Sequence, residues 1–565
     1  MKSIKNNSEK IKHIFFLISI FIVFSLILLE PKTLLLGNPD AIHLQSIAES
    51  ISRIVFNLGK NYYFEGIYDH IYQNYYSVIL NEKYLQYISL FGYNILNTDE
   101  TKNFLNLISN LNSSIKIEEF LSADKGSIVI NFGKNQSLFI FYFLSFKIFG
   151  LKLSSLLYGY LLVFLIAILI LYLNFYKNLS NYIIIQFFLY SFVIIILINV
   201  GGSYETLGLY NYRSLNFLSM IPALFFSFLL FAEKIKINYF LILGIIFNSL
   251  ILGWTISLRE IDLWIILNLT IIFLLYICFF KKNKYFIKKI IIFFISIIFI
   301  FSTFSYIDYS KNFVLKEKKL ISEDNRMSHG FWHSIVTGLV KYPNLKKKYS
   351  CVTDDIIIEK YSLTKLICES DPKKSIFFYI KNYVLERNDD NNGYNAIKLH
   401  LLNSIDNKQQ DNLVKNLPLH WSLYEETSKN LLIKILREDT LEVFSIVIFW
   451  RPLEILYTLI KFSHHFLNSL LSNNYNLLFF TLSNVVLFKI IRFAKRSQDS
   501  FSKNHFFKDI ILVLSLLFSS CTIPIIFFVT PQSNMFQLTS LLIIIFLLII
   551  NKFILLKSNR KKNFY

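Results

Sequence analysis

The chain has 565 residues, of which 54% are hydrophobic and 17% are charged, and its mean hydropathy is +0.47. Soluble domains carry about 25% charged residues, whereas this chain contains repeated apolar runs close to the roughly 20 residues that a helix needs to cross a bilayer. These values exclude a soluble multidomain enzyme, a disordered chain and a collagen-like chain. The formal net charge of +20 therefore has to be assigned to the two sides of a membrane before it is interpreted.

The first apolar run, residues 14–29, follows a lysine-rich start and has no small-residue cleavage site after it. We therefore expect an uncleaved first helix with a cytoplasmic N-terminus. Nine further spans are predicted at residues 154–173, 182–199, 214–232, 239–255, 261–280, 290–306, 476–491, 510–530 and 536–556.

Two other apolar segments are predicted to lie in the outer interface rather than to span. Segment 137–150 would form a helix only about 21 Å long, against a hydrocarbon core of about 30 Å. Segment 443–462 is long enough, but it carries Arg451 and Glu454 near its centre. Each such charge costs about 2.5–3.5 kcal/mol in a spanning helix.

The positive-inside rule supports ten spans with both termini in the cytoplasm. This topology places the strongly basic clusters inside, while the two large outer regions are almost neutral. Residues 31–135 contain 8 basic and 10 acidic residues, and residues 308–440 contain 21 and 18. The positive charge therefore indicates orientation, and we expect no nucleic-acid partner.

The predicted fold class is an all-α polytopic membrane protein with about ten transmembrane helices, two interfacial helices and two large extracytoplasmic regions. The predicted divisions are a first transmembrane helix (1–30), an extracytoplasmic loop with interfacial helices (31–153), a six-helix transmembrane core (154–307), an extracytoplasmic region with an interfacial helix (308–475) and three C-terminal transmembrane helices (476–565).

Asp40 is the main candidate for chemistry, because it stands just beyond the first predicted span and just before an amphipathic stretch. A carboxylate there can cap the following helix by accepting backbone N–H bonds. It can equally deprotonate an acceptor hydroxyl or amine, or hold a divalent metal on a lipid phosphate. Both interpretations fit the sequence.

A resemblance adds to this reading. The segment from Gly37 through Asp40, the amphipathic stretch after it and an aromatic-rich segment ending in Phe149-Gly150 resemble the first outer loop of GT-C superfamily glycosyltransferases. Those polytopic enzymes transfer sugars from polyprenyl-phosphate donors and include protein O-mannosyltransferases and aminoarabinose transferases of lipid A. The resemblance covers roughly residues 1–260. It departs from the usual pattern at Ala41, which replaces a second acid, and at residues 136–137, where Pro-Pro is common.

The resemblance implies further donor-binding residues in the next outer loops. Glu205 and Arg213 stand where such enzymes often present an acid and a base to the donor. Arginine also matches phosphate oxygens geometrically, and Tyr212 suits the headgroup level. An ordinary interfacial loop, in which tyrosines anchor the chain and Arg213 extends to the headgroups, is the somewhat favoured alternative. Arg259 is a further candidate for the donor phosphate, although a simple surface pairing with Asp262 or Glu260 is favoured over that role.

His329 and His333 lie four residues apart and would share one face of a helix, as a metal pair does. Gly330 between them is a poor helix former, so a structural role or a role in acceptor binding is favoured over metal ligation. Cys351 and Cys368 fall in the same predicted outer region. Whether they form a disulfide is left open by the sequence.

Together these features predict a membrane glycosyltransferase of the bacterial inner membrane, with Asp40 as the catalytic residue. The expected partners are a polyprenyl-phosphate-linked sugar, a glycan, lipid or protein acceptor, and membrane lipid. A divalent metal is the one cofactor considered, and its ligands are not identified. Two alternatives remain: a surface-polysaccharide polymerase or ligase, which would use Arg326 and the two histidines, and a non-catalytic transporter or scaffold.

Overall fold

A computed structural model describes residues 2–29, 125–150, 154–200, 215–232, 237–258, 262–279, 286–317, 331–363, 365, 389–404, 414, 421–472, 474–498 and 538–550. Within these ranges the chain forms helices and short connections, and no strand occurs. The observed fold is therefore all-helical, as the sequence predicts.

One group of helices is apolar around most of its circumference, which is typical of helices that lie between lipid and other helices. Its members are α1 (Lys2–Leu29), α2 (Lys125–Phe149), α3 (Ser154–Phe175), α4 (Leu179–Val200), α5 (Met220–Phe231), α6 (Tyr239–Leu258), α7 (Leu263–Phe279) and α8 (Phe286–Glu317).

The remaining helices are shorter or more polar until the chain returns to the bundle. They are α9 (Phe331–Val340), α10 (Pro343–Tyr349), α11 (Asp355–Lys360), α12 (Asp389–Leu402), α13 (Trp421–Glu438), α14 (Thr440–Ser445), a π-helical turn (Ile446–Trp450), α15 (Arg451–Ser472), α16 (Asn474–Gln498) and α17 (Leu538–Ile550).

Seven helices of the described residues are long and apolar enough to cross a membrane. Five of them correspond to predicted spans in α1, α3, α4, α6 and α8, and a sixth lies in α16. The seventh is the continuous stretch Thr440–Leu471, which contains the segment predicted to lie in the interface. The exact number of ten spans stays a prediction, and the span predicted at 510–530 lies outside the described residues.

Two predicted segments differ in length from the observed helices. Segment 137–150 is the C-terminal part of a 25-residue helix that begins at Lys125, because the preceding residues continue the helix. The segment predicted at 214–232 is divided between a 3-10 turn (Asn216–Ser219) and the 12-residue α5.

The Phe-Gly step after α2 forms a helix stop. Gly150 has a φ of +89°, a left-handed conformation that glycine adopts without strain. Its N–H donates to Phe146 O at 2.9 Å, and its own carbonyl accepts from Ser155 Oγ at 2.6 Å. The next described helix, α3, begins at Ser154 and is long and apolar enough to cross a membrane.

A close approach of two backbones fixes α6 against α8. A Cβ atom added at Gly253 would lie 2.6 Å from Ile300 O and 2.7 Å from Thr303 Cβ. Small residues at such contacts let helices approach closely within a membrane, where packing replaces the hydrophobic effect as the main attraction.

The described residues contain two separate hydrophobic cores. One joins α1 to α8 with α15, α16 and α17, and we call it the apolar bundle. The other is formed by α9 to α14 and is called here the second unit; its core includes Val336, Tyr424 and Ile435. The second unit falls inside the region 308–475 predicted from the sequence to be extracytoplasmic.

Candidate functional site

Most of the residues proposed from the sequence lie outside the described parts of the chain. These are Asp40, Glu205, Tyr212, Arg213, Arg259 and His329. Their roles stay predictions. Asp262, which follows Arg259 and was considered as its partner, is described and is only 2% exposed at the start of α7.

His333 is the one proposed site residue that the structure describes, and it lies in an aromatic cluster of the second unit. Its Nδ1 is 2.6 Å from the Tyr424 hydroxyl. The imidazole ring lies 5.0 Å from the Tyr394 ring and 5.4 Å from the Tyr424 ring, measured between centroids. These contacts join α9, α12 and α13, so His333 connects three helices.

A carboxylate from α13 holds the first turn of α9 next to this cluster. Glu425 Oε2 accepts a hydrogen bond from the Trp332 backbone N–H at 3.0 Å, and its Oε1 accepts from the His333 N–H at 3.4 Å. The first N–H groups of a helix have no partner within the helix, and a negative charge there also interacts favourably with the helix dipole. Glu425 therefore fixes the backbone position of His333.

A buried ionic cluster joins the second unit to the apolar helix α15. Lys341 and Arg451 both form ion pairs with Glu454, and the side chains of the three are 1%, 1% and 6% exposed. Tyr342 donates its hydroxyl to Glu454 Oε2 at 2.8 Å. Arg451 Nη2 donates to Gly338 O at 2.8 Å. A buried carboxylate with this many donors can remain ionised away from water.

The chain position of the cluster is also unusual. Arg451 begins α15 directly after the π-helical turn Ile446–Trp450, and π-turns inside longer helices are frequent at functional sites. Arg451 and Glu454 stand out in the sequence as charges in an apolar segment, and charges in such segments usually have a partner. Lys341 was not predicted as that partner, although it directly follows the apolar end of α9.

A second set of polar contacts lies at the junction of α13 and α14. Lys348 donates to Asp439 Oδ2 at 2.8 Å, and Tyr349 OH donates to Glu438 Oε2 at 3.1 Å. Partial burial raises the pKa of Asp439, but the hydrogen bonds from Lys348 and Tyr349 outweigh this effect and lower the pKa overall. These contacts hold α10 against the end of α13.

Two basic side chains of α12 are held in partly or largely buried positions. Lys398 is 7% exposed and donates to Ser362 O at 2.9 Å, and burial lowers its pKa. The pKa of His400 is also lowered, first by burial and then by the positive charge of Lys434. The hydrogen bond from Lys398 holds α12 against the turn that follows α11.

The part of the chain that the structure describes contains no cluster of three or more His, Cys, Asp or Glu side chains suited to a metal ion. Of the residues considered for a metal, Asp40 and His329 lie outside it, and His333 lies in the aromatic cluster next to Tyr424. Cys351 is partly buried beside α11, and Cys368 is outside the described residues.

No protein-family model matches the sequence, and no curated protein or solved structure matches the chain.

Proposed function

We propose that the protein is a membrane glycosyltransferase that moves a sugar from a polyprenyl-phosphate donor to an acceptor at the outer face of the bacterial inner membrane. The observation that carries the proposal is the junction of an apolar helical bundle with a separately packed second unit. A lipid-linked donor requires a bilayer-embedded groove, and a water-soluble acceptor group requires a surface outside the bilayer. The resemblance of the first 260 residues to GT-C enzymes gives this architecture its chemical interpretation.

The proposed reaction is a direct displacement at the anomeric carbon. An acceptor oxygen or nitrogen attacks that carbon, its proton passes to Asp40, and the bond to the phosphate oxygen of the donor breaks. Arg213 and Arg259 stabilise the negative charge that develops on the departing phosphate. Glu205 and Tyr212 contribute to binding the donor. The alternative role of Asp40 is to hold a divalent metal on that phosphate.

The buried cluster around Glu454 supports a fixed attachment of the second unit at the surface of the bundle. Its charged members come from the residue that directly follows α9 and from the first turn of α15, so the contact connects the two bodies near the point where the chain passes between them. A transferase benefits from such a contact, because the acceptor must be held in a constant position relative to the donor.

Two contacts agree with the proposed order of spans, because each joins residues that this order puts at the same side of the membrane. Lys12 Nζ donates to Tyr176 O at 3.0 Å, and Lys289 Nζ donates to Leu230 O at 2.7 Å. Leu230 lies near the end of the predicted span 214–232, and the other three residues lie outside the predicted spans. The orientation with both termini in the cytoplasm rests on the positive-inside rule.

The test is to replace Asp40 by Asn in the full chain and to measure sugar transfer from polyprenyl-phosphate sugars in isolated membranes, together with surface glycan in cells. Loss of a general base lowers rates by about 10²- to 10⁴-fold, and protein level should not change. Asp69→Asn, in the same predicted outer region, is the matched control and should retain activity. Full activity of Asp40→Asn would overturn the proposal, and loss of glycan in an Arg326→Ala variant would then support the polymerase or ligase alternative.

A further inference from the structure

The stretch Thr440–Leu471 is one continuous helix made of α14, the π-helical turn and α15. We call it the connecting helix, because it runs from the second unit to the apolar bundle. Large apolar side chains spaced by three, four, seven or eight residues lie along one side of it. They are 46–85% exposed and form what we call the apolar face: Leu441, Phe444, Ile448, Leu456, Ile460 and Leu467. Extended exposed apolar patches mark a surface that a partner or a membrane covers.

The second unit lies alongside the first half of the connecting helix, on the side away from the apolar face. Lys348 Nζ is 2.8 Å from Asp439 Oδ2, directly before the helix begins. Tyr342 donates its hydroxyl to Glu454 Oε2 at 2.8 Å. Asp439 and Glu454 are 15 positions apart, which is about 22 Å along a helix. The end of α9 and all of α10 therefore follow the first half of the connecting helix closely.

This contact argues against a membrane crossing by the first half of the connecting helix. A crossing there would carry α10 into the hydrocarbon core together with its lysine side chains. Lys347 is exposed, and the side chain of Lys348 is 45% exposed. Charged side chains that face lipid are strongly disfavoured in the bilayer core, so this half of the helix belongs at the membrane surface.

The second half of the connecting helix is too polar to cross by itself. Residues 455–471 number 17, close to the shortest helix that spans a bilayer, and they include six polar side chains: Lys461, Ser463, His464, His465, Asn468 and Ser469. His464 and Asn468 are exposed, and Asn468 Nδ2 lies 3.2 Å from His464 Nδ1. Such groups find no water in the bilayer core, whereas the polar flank of an interfacial helix meets the lipid headgroups.

We propose that the whole connecting helix lies along the bilayer surface and that its apolar face is a lipid-binding surface, which inserts among the acyl chains just below the headgroups. The bilayer is the partner because the apolar face is continuous with lipid-exposed surface of the apolar bundle. Only one residue separates α15 from α16, and α16 exposes Leu477, Leu478 and Leu482.

This assignment goes beyond the interfacial position predicted for segment 443–462. It extends the interfacial helix to Thr440–Leu471, identifies the side chains that enter the lipid, and makes the second unit a body that rests on the membrane along α14. It is independent of the proposed transferase activity.

The experiment measures the membrane depth of nitroxide labels at Phe444→Cys and Leu456→Cys. The full chain, with its four native cysteines replaced, is reconstituted into vesicles of phosphatidylethanolamine and phosphatidylglycerol. Collision rates with oxygen and with a water-soluble nickel chelate give the depth of each label. We expect both labels about 5–10 Å below the headgroups. A crossing helix would instead bring the label at position 456, the middle of the connecting helix, to the bilayer centre, about 15 Å deep.

Ile356→Cys is the matched control, because Ile356 is an aliphatic side chain that is 75% exposed on α11, away from the connecting helix. Its label should remain in water. Phe444→Trp and Ile356→Trp give a second measurement that needs no label: lipids brominated in the acyl chains should quench the added fluorescence of the first variant and not that of the second. The proposal would be overturned by a label at position 456 at the bilayer centre, by labels at positions 444 and 456 as accessible to the chelate as the control, or by labels shielded from both reagents through a protein contact.

Discussion

The Tyr424 hydroxyl lies 2.6 Å from Nδ1 of His333, and Tyr424 itself is only 1% exposed. The hydrogen bond therefore satisfies a buried hydroxyl and connects α13 to α9. A histidine in this position has a structural reason to be present that does not depend on substrate.

Replacing His333 separates its structural role from a chemical one. His333→Phe keeps an aromatic ring in the cluster but removes the hydrogen bond between His333 and the buried Tyr424 hydroxyl, which should cost about 1–3 kcal/mol of stability. The double variant His333→Phe with Tyr424→Phe removes both partners and should recover most of this loss. Thermal unfolding in detergent measures both effects.

The same double variant tests the polymerase or ligase alternative, because that alternative needs His333 for chemistry. We expect the double variant to keep the surface glycan level of the parent protein. Wild-type stability combined with loss of glycan would show that His333 takes part in the reaction.

The cluster around Glu454 predicts a large and specific loss of stability. Glu454→Gln leaves Lys341 and Arg451 buried without the carboxylate that neutralises them, and removing one partner of a buried ion pair typically costs about 3–5 kcal/mol. The expected result is a clearly lower Tm of the purified protein.

Glu438→Gln is the matched control for Glu454→Gln, since Glu438 pairs with Lys348 while both side chains are more than two-fifths exposed. Exposed pairs contribute little to stability, so its Tm should be close to that of the parent. Equal losses in the two variants would contradict the assignment of Glu454 as a buried anchor.

The lowered pKa of His400 predicts that the second unit becomes less stable in mild acid. Because burial and the nearby Lys434 lower its pKa in the folded state, folding favours the neutral imidazole. The stabilisation is complete above the unfolded-state pKa of about 6.5 and declines as the pH falls below that value. The Tm of the parent protein should fall as the pH is lowered from 7.5 to 5.5. The Tm of the His400→Gln variant should fall less over the same range. An unchanged pH profile in His400→Gln would assign the acid sensitivity to another group.

The close approach of α6 and α8 at Gly253 predicts that even one added methyl group disturbs their contact. In Gly253→Ala the new Cβ would meet the Ile300 carbonyl at 2.6 Å, so the helices must separate, at a cost of about 1–3 kcal/mol. Leu250→Ala, at a position 43% exposed on the same helix, should change stability by about 0.5 kcal/mol or less. Detergent unfolding of both variants provides the comparison.

The sequence was sufficient to predict several helices of the apolar bundle, because the length of an apolar run depends only on neighbouring residues. The predicted spans at 154–173 and 239–255 agree with α3 and α6 to within three residues at either end. The helix over 440–471 was harder to predict. Its charges are costly in isolation and are stabilised by Lys341, Tyr342 and the Gly338 carbonyl. The positions of these groups depend on how the second unit packs.

In the candidate site, too, the local sequence predicts the helix but not the contact between distant residues. The position of His333 on a helix follows from local sequence, whereas its bond to Tyr424 joins residues 91 positions apart and depends on the packing of α9 against α13. Periodicity alone carries no information about such pairs.

The pairing of Lys341 with Glu454 also determines when the second unit can finish folding while the chain is being synthesised. The two residues are 113 positions apart, and ribosomes add about 5–20 residues per second, so Lys341 emerges roughly 6 to 23 s before its counter-charge exists. During this interval a fully packed second unit would enclose an uncompensated ammonium group. We therefore expect the second unit to stay loosely folded until α15 has been made, and its final compaction to coincide with the arrival of that helix.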